Sequence, residues 1–308
     1  MEGKEVVWHI FAIIGAVKIL FWVLPWVYYK LFCCIRLTNY KYGYVLITGS
    51  TDGIGKELAK EFAKQGFKLL LVSRNMEKLE NVRLEICKQY PGNVVEIVVC
   101  DFSNSHKNPE IFYSELHEQI KDFQISILVN NVGVAGLNPI LKASFNELEN
   151  LISVNTYPCV FLTHKLLPGF IKRYEETKKK SLVINIGSIA DESISVGVSV
   201  YSATKRFISF FSEGLRYEYK EIEVITAKPG PIITNLLISG GANVPLQCTS
   251  EVYAKSLINS LRTGINHGHW KSKVLGASTR ILPYMLSILN TRMLMKYFIK
   301  IGIMKEGF

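Results

Sequence analysis

The sequence predicts an α/β fold, a doubly wound parallel sheet with helices on both faces, preceded by a membrane anchor helix. Three observations lead there. From residue 44 onward, short apolar runs alternate with longer amphipathic stretches. Those runs are apolar throughout rather than at every second position, as strands covered on both faces are. Ahead of them, residues 6–29 form an apolar stretch of bilayer length, and mean hydropathy is positive at +0.18.

The apolar stretch is interrupted by His9 and Lys18. It suits a hydrocarbon core of ~30 Å with some tilt. Trp22, Trp26, Tyr28 and Tyr29 crowd its C-terminal end, where an aromatic belt belongs. Lys30, Arg36 and Lys41 follow it, while Glu2, Lys4 and Glu5 precede it, so the rest of the chain is expected to face the cytosol. A cleaved signal peptide is the rival reading, against which stand the length of the stretch and the lack of a clear small-residue cleavage site. A hairpin bent at Pro25 is the competing membrane arrangement. Residues 1–40 are read as anchor and linker, 41–280 as the main domain, and 281–308 as a C-terminal apolar and basic helix.

Within the main domain, strands are expected at 44–48, 68–73, 94–100, 125–129, 182–186 and 224–227. Helices are expected near 54–65, 76–90, 109–121, 145–174 and 201–220. The segment 232–249 is apolar, with Gly240-Gly241 as a hinge that could let it close over a greasy ligand. In the tail, Arg292, Lys296 and Lys300 stand four residues apart and make one basic stripe on a helix. That helix suits a membrane interface or a cover for the sheet or a pocket.

The formal net charge of +10 suits an anionic partner. No patch interleaves base-stacking aromatics with Arg, so nucleic acid is not expected. None of the six cysteines forms a C-x-x-C pair, which fits reduced thiols in a cytosol-facing domain. Cys33-Cys34, just past the apolar stretch, could carry acyl chains. His267-Gly-His269 has no Cys or carboxylate cluster nearby, so no metal site is expected.

The first strand runs directly into Thr48-Gly49-Ser50-Thr51-Asp52-Gly53-Ile54-Gly55, which opens the first helix. So tight a turn needs residues without Cβ. It brings backbone N–H groups and the positive end of the helix onto a pyrophosphate. Gly49, Ser50, Asp52, Gly53, Ile54 and Gly55 are therefore candidate contacts of a dinucleotide in a Rossmann-type sheet. The second strand ends in Ser73-Arg74, where a site for NAD wants a carboxylate. A guanidinium and a hydroxyl bind a 2′-phosphate instead, so NADP(H) is the expected cofactor, through Arg74.

A Tyr-x-x-x-Lys pattern occurs twice, at Tyr174 with Lys178 and at Tyr201 with Lys205. Four-residue spacing puts both side chains on one helix face. Tyr201 opens the helix after the fifth strand, and Ser188 lies upstream at that strand's end. The matching position before Tyr174 is Phe161, and Tyr174 stands in a polar connector, so that copy is set aside.

Together these residues resemble the short-chain dehydrogenase/reductase family over roughly residues 42–280. Asp101 after the third strand, Asn130-Asn131-Val132-Gly133 after the fourth, Asn155, and Pro229-Gly230 with Thr234 complete the resemblance. It implies that Tyr201 is the acid/base and that Lys205 lowers its pKa and binds the nicotinamide ribose. It implies that Ser188 binds the substrate carbonyl oxygen and that Asn155 orders a water. Asp101 and Asn131 would meet the adenine side, and Thr234 the carboxamide or diphosphate. The chemistry agrees: hydride transfer to a ketone builds charge on oxygen, and a proton donor must meet it. A free phenol has a pKa near ~10, and an adjacent ammonium lowers it.

The anchor and the wording of these motifs are similar to one branch. It holds 17-beta-hydroxysteroid dehydrogenases types 3 and 12 and the very-long-chain 3-oxoacyl-CoA reductases. The branch implies NADPH-dependent reduction of a lipid-like substrate, an acyl-CoA or a steroid, at the endoplasmic reticulum membrane with the catalytic domain cytosolic. It also implies a homodimer through the helices carrying Asn155 and Tyr201. The chain departs from the branch at Gly187, where relatives often have Ser, and at its end, which lacks a lysine-rich retention signal. A non-catalytic membrane scaffold that keeps the dinucleotide fold is the reading from another class.

Overall fold

The computed structural model describes residues 34–136, 140–192, 197–233 and 246–281, with isolated positions within 9–20 and 293–300. The chain divides into two compact units, Met1–Arg36 and Leu37–Phe308. In the first unit His9, Ile13, Gly15, Ala16, Val17 and Leu20 are helical. The rest of the expected anchor lies outside the described residues, as do most of the expected C-terminal helix and Gly240-Gly241. No helix among the described residues is long and apolar enough to cross a membrane.

The second unit is built on a seven-stranded sheet in the order β3-β2-β1-β4-β5-β6-β9. Its strands are β1 Tyr44–Thr48, β2 Lys68–Ser73, β3 Val95–Val99, β4 Ile125–Asn130, β5 Ser181–Ile186, β6 Ile222–Ala227 and β9 Gly264–Asn266. Every pairing in it is parallel. All residues of β4 and β5 are buried, as their unbroken apolar character requires. Between β6 and β9, β7 Ile232–Ile233 pairs with β8 Cys248–Thr249 in a separate small sheet.

Helices follow the strands: α1 Gly53–Lys64, α2 Met76–Gln89, α3 Pro109–Ile120, α4 Phe145–Tyr157, α5 Thr163–Thr177, α6 Ser199–Glu218, α7 Ser250–Asn259 and α8 Trp270–Ile281. Their starts are encoded locally. Asn75 and Asn108 accept from backbone N–H groups of α2 and α3, and Ser144 and Glu147 form a reciprocal capping box on α4. The stretch expected as one helix over 145–174 is continuous, but Pro158–Leu162 is a π-turn between α4 and α5. Pro158 has no N–H to give, and Thr163 Oγ1 bonds back to Cys159 O at 2.6 Å. On one face the core packs Leu46, Leu70, Leu128 and Val183 against Tyr113 and Phe170.

The strand order reverses between β1 and β4. Chains leave these two strands in opposite directions, which opens a crevice at their C-terminal ends.

Candidate active site

The crevice is a cavity of about 500 Å³ at the C-terminal edge of the sheet. One end is the turn from β1 into α1. Gly49 has φ +65°, a conformation that favours glycine. A Cβ on Gly55 would come within 2.4 Å of both Gly49 O and Asn131 Nδ2, so only glycine lets helix and turn approach this closely. Gly49, Asp52, Gly53 and Ile54 face the cavity. Ser50 and Gly55 do not line it: the buried Ser50 hydroxyl lies 3.5 Å from Val72 O, and Gly55 packs behind the turn. Asp52 caps α1 by accepting from Gly53 N–H at 2.7 Å.

Arg74 stands exposed on the cavity wall just past β2, beside Ser73, whose hydroxyl is 3.0 Å from that of Thr51. Asp101 also lines the wall and caps the following 3-10 turn by accepting from Ser103 N–H.

Asn131 lines the cavity, but its amide is engaged. Nδ2 donates to Thr48 O at 2.9 Å and Gly49 O at 3.0 Å, so its amide braces the glycine turn. Asn155 is a second brace. Its Oδ1 accepts from Val134 N–H at 2.8 Å, and its Nδ2 donates to Val134 O and to Thr204 Oγ1 of α6. It ties the loop after β4 to the helix that carries Tyr201, and it does not line the cavity. Thr234 lies outside the described residues.

The far end of the cavity brings together Ser188, at the end of β5, with Tyr201 and Lys205, one turn apart on α6. Ser188 and Tyr201 share a side-chain hydrogen bond. Lys205 Nζ donates to Ile186 O at 3.0 Å and sits 5.8 Å from the Tyr201 ring centroid. Burial pushes the Tyr201 phenol above its ordinary value. The Ser188 hydrogen bond opposes that shift, and the Asp191 carboxylate adds to it. The same cause pushes Lys205 down to about 8, against Cys159 and Asp191. The expected lowering of Tyr201 by its lysine is therefore corrected: Lys205 is not among the causes of the shift, and loss of water around the phenol sets a net rise. Asp191 itself was not foreseen. Its only sequence signal is its place three residues after Ser188.

The short chain dehydrogenase family model matches residues 43–243. The chain is 35% identical to a very-long-chain 3-oxoacyl-CoA reductase of Anas platyrhynchos over 223 residues, 71% of this chain and 68% of that one. It is 33% identical to the hydroxysteroid dehydrogenase-like protein 1 of Gallus gallus over 245 residues, 76% of this chain and 70% of that one. Among solved structures it is similar to a short-chain dehydrogenase from Sphingobium yanoikuyae in complex with NADPH. That likeness has a TM-score of 0.64 and 26% identity, covering 77% of this chain and 92% of the other. A parallel sheet that reverses beside such a turn, with relatives of these two kinds, places the chain in the short-chain dehydrogenase family of nicotinamide-dependent oxidoreductases, in the branch of steroid dehydrogenases and very-long-chain 3-oxoacyl-CoA reductases.

Proposed function

We propose that the protein is a membrane-held reductase that uses NADPH to convert a lipid ketone, a very-long-chain 3-oxoacyl-CoA, to its secondary alcohol. One observation carries the reading: Ser188, Tyr201 and Lys205 meet at one end of a cavity whose other parts are a glycine cradle and Arg74.

The residues present fit the dinucleotide. At Gly49 and Gly55 the turn leaves no room for a side chain, and so close a turn is the cradle a pyrophosphate needs. No carboxylate closes β2. Arg74 offers a fork for a 2′-phosphate, with the Ser73 and Thr51 hydroxyls beside it. Lys205 Nζ keeps donors for ribose hydroxyls while Ile186 O fixes its position.

When bound, the nicotinamide supplies the hydride. The Tyr201 phenol gives its proton to the substrate oxygen as negative charge develops there, and Ser188 donates a hydrogen bond to the same oxygen. Burial keeps the phenol protonated at neutral pH, which suits a donor in the reductive direction. Asn155 and Asn131 keep the two ends of the cavity in register through their backbone bonds.

Reduction of a steroid ketone is the second reading, supported by the relative named for hydroxysteroids. Membranes carrying the protein, incubated with NADPH and either 3-oxostearoyl-CoA or androstenedione, separate the two by loss of NADPH absorbance. Turnover of the acyl-CoA is expected; turnover of androstenedione alone reverses the order. A non-catalytic scaffold predicts neither.

The apolar stretch 6–29, followed by Lys30, Arg36 and Lys41, supports an anchor in the endoplasmic reticulum membrane with the second unit cytosolic. A homodimer is supported by an exposed apolar stripe. Phe207, Phe210 and Tyr217 of α6 are 46%, 73% and 76% exposed, and Phe145 and Ile152 of α4 are 91% and 46% exposed.

A further inference from the structure

Next to Ser188 lies a second cluster of charge. Asp191 ends the 3-10 turn Ile189–Asp191, and Glu192 is its C-cap. Lys228 follows β6, and His267 follows β9. Lys228 Nζ is 2.9 Å from Asp191 Oδ1 and 3.5 Å from Glu192 Oε1. His267 Nε2 is 2.8 Å from the same Glu192 oxygen. The Ser209 hydroxyl of α6 donates to Asp191 Oδ2. The side chains of Lys228, Asp191 and Glu192 are 1%, 0% and 1% exposed.

Taking such charges out of water is costly, and apolar replacements are often as stable. Fold stability is therefore a poor account of the cluster, and its location is a better one. Ser188 belongs to a segment pinned to the end of β6. Gly187 N–H donates to Ala227 O at 2.8 Å, and Ile189 N–H to Pro229 O at 3.0 Å. The ion pair of Asp191 with Lys228 closes the same junction through side chains. Asp191 also acts across to α6, where its negative charge disfavours the Tyr201 phenolate and favours the Lys205 ammonium. The other groups facing these are Ser188 at Tyr201, Cys159 at Lys205, and Lys228, Glu192 and His267 around Asp191.

We propose that Asp191, clamped by Lys228 and Ser209, is a positioning residue that holds the Ser188 turn and sets the charge Tyr201 faces as it loses its proton. The inference rests on the reading of Ser188, Tyr201 and Lys205 given above. It adds a residue that touches neither substrate nor cofactor. Lys228 is its counterweight: its ammonium pairs with the Asp191 carboxylate and offsets part of its field.

The test is a titration of the full chain in detergent with NADP⁺ bound and tyrosine phenol carbons labelled with carbon-13. The Tyr201 resonance is the one lost in Tyr201→Phe. Asp191→Asn removes a negative neighbour and is expected to move the Tyr201 ionisation to lower pH by roughly half a unit or more. Lys228→Met leaves the carboxylate unopposed and is expected to move it to higher pH. Shifts in the same direction, or none, overturn the inference, because a purely structural cluster has no reason to give opposite signs. If a single variant no longer binds NADPH, the double variant Asp191→Asn/Lys228→Met replaces it, since it removes both charges of that pair together and leaves Glu192 its bond to His267. A midpoint below that of the parent supports the inference. An unchanged midpoint, or loss of NADPH binding by the double variant too, overturns it. No substrate enters the titration, so absence of ketone turnover counts against the proposed function alone.

Discussion

Tyr201 and Lys205 are displaced toward neutrality by one cause, the loss of water around both. The phenol stays protonated through neutral pH, and the ammonium, at about 8, begins to lose its proton just above it. The sign follows. Reduction needs the phenol and should hold its rate through neutral pH, falling only in alkali. Oxidation of the product alcohol needs the phenolate and should climb as pH rises. Steady-state kcat/KM in both directions across pH checks this, and a reductive rate that falls from acid to neutral pH contradicts it. Arg74 has a separate signature. Arg74→Ala should weaken NADPH binding roughly 10- to 100-fold and leave NADH nearly unchanged, as loss of a charge-assisted fork to one phosphate does. Equal effects on both cofactors in a binding titration would remove Arg74 from the 2′-phosphate. Ser188, Tyr201, Lys205 and the glycines were legible in the sequence because each stands at an element end, or for Lys205 one turn beyond Tyr201, and in chain order. The bonds of Asn131 and Asn155 were not. They depend on which loop carbonyls approach in three dimensions. Asp191 and Lys228 are 37 residues apart, with nothing local to link them.

Among the elements, the main strands fall within about two residues of expectation because burial on both faces writes itself as an unbroken apolar run. The short pair β7 and β8, the three-residue β9, and helices α7 and α8 carried no such signal. The π-turn at Pro158 was invisible too, since the amphipathic pattern runs through it. The turn from β1 into α1 makes the clearest demand on sequence. Gly55→Val would drive a branched side chain into Gly49 O and the Asn131 amide. It is expected to abolish dinucleotide binding while the rest of the sheet survives. Quenching of intrinsic fluorescence by NADPH and a far-ultraviolet dichroism spectrum report the two halves of that statement. Undiminished NADPH binding would show that the turn relaxes freely.

For the whole molecule, the aromatic stripe on α6 is too apolar to face water without a role. On the proposed homodimer, the parent chain should sediment as a dimer in detergent at low micromolar protein and Phe210→Glu as a monomer; a monomeric parent would remove the proposal. An unchanged dimer would move the interface off α4 and α6. The expected membrane anchor, the apolar segment after β7 and the expected tail helix rest largely on residues outside the described ones. For them the sequence pattern, hydropathy above all, remains the warrant.

The central claim is that a buried phenol delivers the proton to the reduced ketone. Tyr201→Phe removes one oxygen and little else. Its NADPH oxidation with the ketone turned over by the parent chain should fall by at least about 100-fold, while NADPH binds as before. A variant that binds NADPH and turns over at the parent's rate would contradict the account.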